Sequence, residues 1–279
     1  MIDALIFDSG VGGLSVSAAI RRRMPWLPLG YVCDNAALPY GTKDDAWLVA
    51  RIVAVCESAC RQARPRALVI ACNTASTLAL EALRARLSIP VIGTVPAIKP
   101  AAETTRSRTI GLLATRATVR RPYLDRLIED HARGCRVIRV AADALVIEAE
   151  RLLKGQAVDP ARVREAIAPL RAAEEIDAVV LGCTHFPLLH DYLEPLLPSG
   201  VHWIDSGAAI ARRLESVLWG APAPAAAAEA EERATRSPDA NSWATAAGAP
   251  GLASALMRFG YAPPAMLEIA SPAVAVHVS

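Results

Sequence analysis

Short apolar runs alternate with helix-length amphipathic patterns along most of this chain, and this alternation restricts the fold more than any other feature. The runs lie at Ala4 to Phe7, Leu29 to Cys33, Ala67 to Ala71, Val91 to Gly93, Thr109 to Ala114, Arg136 to Val140, Ala178 to Leu181 and His202 to Ile204. Most are continuously apolar rather than alternating, as expected of strands covered on both faces in a parallel sheet. Helical patterns separate them, so the expected class is α/β, with mainly parallel sheets flanked by helices. Further on, Trp243 to Thr245 and Leu252 to Phe259 add a short strand and a helix.

Two of these runs end alike. Ala67-Leu-Val-Ile-Ala-Cys72-Asn73-Thr74 and Ala178-Val-Val-Leu-Gly-Cys183-Thr184-His185 each place a cysteine among polar groups just past a buried strand. That is the side of an α/β sheet where ligands usually bind. The repetition and the number of strands favour two sheets over one, in two similar domains with a site in the cleft between them. Crossovers are expected near Val95-Pro96-Ala97 and Asp205-Ser206-Gly207. Residues 1–97 with 207–279 would then form the first, discontinuous domain, and residues 98–206 the second. Ala221 to Ser237 is rich in Ala, Pro and Glu, the composition of a flexible surface excursion without chemistry.

Bulk properties narrow the function. A chain of 279 residues with 53% hydrophobic content can fill two cores. Its net charge is only +2 and the basic residues are scattered, which argues against nucleic-acid or membrane-surface partners and for a small polar ligand. No apolar stretch reaches the roughly 20 residues of a spanning helix, and the start is too short and acidic for a signal peptide, so a cytoplasmic protein is expected. Its six cysteines show no CxxC spacing, which indicates reduced thiols rather than disulfides or a zinc ribbon. Cys33, Cys56, Cys60 and Cys135 fit core packing.

Several positions can carry chemistry. Asp8-Ser9-Gly10-Val11-Gly12-Gly13 follows the first strand, and its loop N–H groups would suit an anionic group, although GK[ST] is absent. Asp8 suits a ligand ammonium or a proton donor, or caps a helix. Cys72 stands at an expected helix N-terminus, a setting that lowers a thiol pKa and favours thiolate. Cys183 has His185 two residues away as an acid/base partner. Either cysteine alone would read as a small apolar filler. Cys72, Cys183 and His185 could ligate a metal, but no fourth ligand has a familiar spacing, so no metal is expected. A thiol hydrolase would leave the second thiol unexplained. The loop Asp34 to Lys43 offers Tyr40, as a ligand contact or a packing aromatic. Thr115 and Thr118 follow a strand and could hold a carboxylate or cap a helix. Lys43, Lys99 and Lys154 are the only lysines, so a Schiff-base cofactor has few anchors and no organic cofactor is expected.

Taken together, these motifs resemble the glutamate racemases of the cofactor-independent aspartate/glutamate racemase superfamily. The resemblance rests on Phe7 to Gly13, Asp34 with Pro39-Tyr40-Gly41, Ala71 to Ser76, Gly111 to Thr115 with Thr118, Gly182 to Pro187, and Asp205-Ser206-Gly207, in family order over roughly residues 3 to 220. It implies that Cys72 and Cys183 are acid/bases interconverting L- and D-glutamate for peptidoglycan, Cys72 taking the proton of D-glutamate and Cys183 that of L-glutamate. It further implies that Asp8 and His185 assist Cys72 and Cys183 respectively. Substrate contacts would fall on Asp8, Ser9, Tyr40, Gly41, Asn73, Thr74, Thr184 and His185, with Thr115 and Thr118 as candidate carboxylate contacts. Glu150 matches an auxiliary carboxylate, a solvated helix face being an equal reading. A homodimer is expected only because family members are commonly dimers.

The chain departs from the pattern at Trp243-Ala-Thr245-Ala-Ala-Gly248-Ala, where the family's usual Asp is missing, which puts a surface or packing contact, not catalysis, in question. Regulation tied to the N-terminal extension of some members is not expected. Alternatives remain a racemase of aspartate or another amino acid, and a non-catalytic amino-acid-binding relative.

Overall fold

The structure, a computed structural model, describes residues 2–173, 175–220 and 241–269. The Ala/Pro-rich segment 221–237 lies outside them. In chain order the elements are β1 (Ala4–Asp8), α1 (Leu14–Arg23), β2 (Leu29–Cys33), α2 (Asp45–Ala63), β3 (Ala67–Ile70), α3 (Asn73–Arg86), β4 (Val91–Ile92), α4 (Ile98–Thr104), β5 (Thr109–Ala114), α5 (Arg116–Val119), α6 (Pro122–His131) and β6 (Arg136–Ala141). They continue with α7 (Asp143–Leu153), α8 (Pro160–Ala166), α9 (Ala168–Arg171), β7 (Ala178–Leu181), α10 (His190–Leu193), β8 (His202–Ile204), α11 (Gly207–Trp219), β9 (Ser242–Ala244), α12 (Leu252–Arg258) and β10 (Ala265–Met266).

The strands form two wholly parallel sheets, one of order β10-β9-β2-β1-β3-β4 and one of order β6-β5-β7-β8. Both faces of each are covered. In β1, Ala4 and Ile6 pack into one cluster with α1 and α11, whereas Leu5 and Phe7 pack into another with α2 and α3. In the smaller sheet Leu113, Val179 and Leu181 face α7 and α8, while Leu112, Val180 and Ala114 face α4 and α6. This two-sided burial explains the continuously apolar runs.

The order β2-β1-β3-β4 in the first sheet recurs as β6-β5-β7-β8 in the second. In each, the chain leaves the first strand of the unit to one side and returns on the other, which opens a crevice at the strand ends beside that point. Cys72 follows β3 and Cys183 follows β7, so the two cysteines occupy equivalent positions in the repeat. The short strand β10 was not anticipated: its two residues follow Pro263 and Pro264 and carry no strand pattern.

Polar contacts join the two units where their strand ends meet. Val11 N donates to Glu150 Oε1 at 3.1 Å, Thr184 Oγ1 to Asp8 Oδ1 at 3.2 Å, and Ser15 Oγ to the Thr184 carbonyl at 2.8 Å. Gly12 sits in this seam, where an added Cβ would collide with the His185 ring and with Thr184 Oγ1. The glycine loop is therefore small so that Thr184 and His185 can approach it. Gly12→Ala should displace both side chains, lowering stability by about 1–3 kcal/mol in a chemical-denaturation titration. An unchanged midpoint would show that the seam yields.

Candidate active site

Between the sheets lies a cavity of about 490 Å³. The first unit supplies Ser9 after β1, Leu38 to Thr42 from the loop before α2, and Cys72, Asn73 and Thr74 at the start of α3. The second supplies Thr115 and Arg116 after β5, Asp143, Ala144, Val146 and Ile147 on α7, and Gly182 to His185 after β7. Both candidate cysteines line this one space, each only 7% exposed.

Cys72 is the residue before the first turn of α3, and its Sγ lies 3.6 Å from Ser9 Oγ. The sequence expectation of a lowered thiol pKa is overturned here. Burial, with the charge of Asp8 adding to it, pushes the Cys72 thiol up to about 12 against the help of the Ala75 amide and Ser9. Desolvation of a sulfur anion outweighs the N-terminal field of one helix. Asp8, fully buried at the end of β1, is also pushed up, first by burial. Its Oδ2 accepts from Gly10 N at 3.0 Å and its Oδ1 from Thr184 Oγ1, and the Gly13 amide at the start of α1 also favours its charged form.

Cys183 has a different surround. Its Sγ is 3.7 Å from His185 Nδ1, and His185 Nε2 is 2.9 Å from Glu150 Oε1. Burial opposes a charge on His185, yet the hydrogen bonds and negative charges of Cys183 and Glu150 hold its pKa well above the ordinary 6.5. Burial likewise opposes ionisation of Glu150, but His185, the Val11 amide and Lys154 bring its carboxyl down to about 2. Glu150 is thus a buried, bonded carboxylate and not a solvated helix face. The loop amides expected to suit an anion, Gly10 and Val11, bind the protein's own carboxylates, Asp8 and Glu150.

Tyr40 is both a lining residue and a bonded one: its hydroxyl donates to Asp34 Oδ2 at 2.8 Å. Asp34, fully buried, also takes donors from Arg51 at 2.7 Å and Thr245 Oγ1 at 2.6 Å. Thr115 caps α5 through Thr118 N and lines the cavity as well.

Of the residues singled out in the sequence, Ser9, Tyr40, Gly41, Cys72, Asn73, Thr74, Thr115, Cys183, Thr184 and His185 line the cavity. Asp8, Thr118 and Glu150 stand behind it, reaching it through Thr184, Thr115 and His185. Sequence reasoning missed Arg116 and the lining face of α7, Asp143 included, although Asp143 also starts a helix after a strand. It missed Arg51 and Thr245 too, which meet Asp34 only through the fold. Among the described residues, no group of three or more acidic, His or Cys side chains could hold a metal ion, and no helix is long and apolar enough to cross a membrane.

Residues 15–214 match the model of the Asp/Glu/hydantoin racemase family. The chain is 47% identical to the glutamate racemase of Salmonella typhimurium over 262 residues, 92% of this chain and 89% of that one. It is 50% identical to that of Sodalis glossinidius over 210 residues, 75% and 72% of the two chains. Among solved structures, Escherichia coli glutamate racemase in complex with L-glutamate and the activator UDP-MurNAc-Ala superposes with a TM-score of 0.87 at 39% identity, covering 97% of this chain and 100% of that one.

The Glu150 carboxyl sets a pH dependence. Because its pKa falls on folding, from 4.5 to about 2, its stabilisation is present above pH 4.5 and is lost as acid carries it through the folded value. Glu150→Gln should therefore destabilise the protein by roughly 3 kcal/mol at neutral pH. It should also flatten the acid limb of a melting-temperature profile, and an equally steep limb in the variant would contradict the assignment.

Proposed function

The chain belongs to the aspartate/glutamate/hydantoin racemase family, and on that premise we propose that it is a glutamate racemase working through Cys72 and Cys183. The observation that carries this reading is that both sulfurs line a single cavity from equivalent positions of two repeated units. An α-carbon held between them would face one sulfur on each side.

In the direction from D-glutamate, a Cys72 thiolate takes the α-proton and the Cys183 thiol delivers its proton to the opposite face. L-glutamate leaves with Cys72 as thiol and Cys183 as thiolate, ready for the reverse passage. The electrostatics assign the two thiols different help. A Cys183 thiolate sits against an imidazolium that Glu150 keeps charged. Cys72 lies beside Ser9 and in the field of Asp8, so its thiol rests protonated. A substrate ammonium near Asp8 would offset that field and lower the cost of the Cys72 thiolate.

The carbanionic α-carbon gains from donors fixed around the substrate carboxylates. The start of α3 with Asn73 and Thr74 and the α5 turn with Thr115 offer hydroxyls and N–H groups there. Tyr40 is held by Asp34 and presents its ring to the same space. We assign residues 1–97 with 207–279 to one domain and 98–206 to the other, so that each contributes one thiol. The product would serve peptidoglycan synthesis in the cytoplasm.

Cys72→Ala and Cys183→Ala should each reduce racemisation by at least about 10³-fold, starting from either enantiomer and followed by circular dichroism. Full activity in either variant sinks the two-thiol mechanism. Wild-type turnover of aspartate in place of glutamate would move the substrate assignment while keeping the mechanism.

A further inference from the structure

The two oxygens of Glu150 have different partners. Oε1 takes the Val11 amide and faces His185, whereas Oε2 lies 3.1 Å from Nζ of Lys154, one turn on and just past the end of α7. Lys154 is itself placed by the C-terminal part of the chain. Gly251, just before α12, has φ +76°, and a Cβ there would come within 2.7 Å of Lys154 Cβ. A continuous line of contacts thus runs from Gly251 through Lys154, Glu150 and His185 to the sulfur of Cys183. Cys72 is served instead by Ser9 and Asp8.

We propose that Lys154 is a positioning residue for Cys183: its ammonium fixes the outer oxygen of Glu150, so that the inner oxygen stays on His185 and the imidazolium stays turned to the sulfur. This rests on the two-thiol function above and goes beyond it by assigning a role to a residue that does not line the cavity. The geometry fits an i, i+4 pair with the acid toward the helix N-terminus, the favourable orientation. Other ionisable groups sense Glu150, namely Asp8 on β1 and Tyr31 and Cys33 on β2. Burial opposes ionisation of all three, and the charged groups that bring the Glu150 carboxyl down are His185 and Lys154.

The sign of one measurement separates aiming from mere charge. A nearby ammonium acting only as a charge disfavours the imidazolium, so its removal would make His185 hold its proton more tightly. An ammonium that aims Glu150 favours the imidazolium, so its removal loosens that proton. The ring nitrogens of His185 are followed by ¹⁵N NMR in the intact protein from about pH 6 to about pH 10, in wild type, Lys154→Met and Lys154→Arg. In the Met variant His185 should lose its proton at lower pH than in wild type, and in the Arg variant it should return to the wild-type curve. Glutamate racemisation should fall about 5- to 10-fold in kcat for Lys154→Met, with KM within about twofold, and Lys154→Arg should restore it.

A His185 curve that is unchanged or moved to higher pH in Lys154→Met overturns the proposal, as does failure of Lys154→Arg to restore both readouts. The NMR titration needs no turnover. A wild-type protein that does not racemise glutamate would therefore defeat the functional reading separately, leaving the positioning effect on His185 to be judged by its own curve.

Discussion

A single buried carboxylate ties the two sheets together at the point where chemistry can occur. Glu150 is on α7 of the second unit, yet it accepts the Val11 amide from the glycine loop of the first and faces His185 beside Cys183. Unpaired, a carboxylate in that position would carry a large desolvation cost and would take up a proton. The loop amide, the imidazolium and the Lys154 ammonium offset that cost, and the loop must pass close enough to provide the first of them. The small residues at Gly10 and Gly12, the buried Thr184 and the bonded Asp8 follow from that need.

The two thiols are equivalent in topology and unlike in electrostatics. Cys183 stands against a cationic ring, whereas Cys72 stands against a hydroxyl in the field of a buried carboxyl. The fold repeats the strand order and the position of the sulfur, while residues at the ends of β1 and β7, with Glu150 on α7, set each local field. On the proposed function, one thiol carries its own counter-charge and the other depends on charge brought by the ligand.

Much of the fold was legible because parallel strands buried on both faces leave an unbroken apolar record. Leu29–Cys33, Thr109–Ala114 and Ala178–Leu181, buried throughout, have the same bounds in sequence and structure. The candidate site was legible where polar residues directly follow such strands, as at Asp8, Cys72, Thr115 and Cys183. It was illegible where a partner arrives from afar: Thr245 meets Asp34 across 211 positions and Val11 meets Glu150 across 139. The Cys72 proton affinity was misjudged for a related reason. A helix start is visible in sequence, but depth of burial and the neighbouring Asp8 charge emerge only on folding.

The shared order of strands in the two sheets has a thermodynamic side. Mirror-image molecules have equal free energy in water, so a catalyst of their exchange gains nothing by preferring either bound form. A groove assembled from two copies of one architectural plan starts near that balance, and unlike neighbours such as Asp8 and His185 then need only compensate each other. Duplication thereby makes an even-handed catalyst easier to reach than a site composed of unrelated walls.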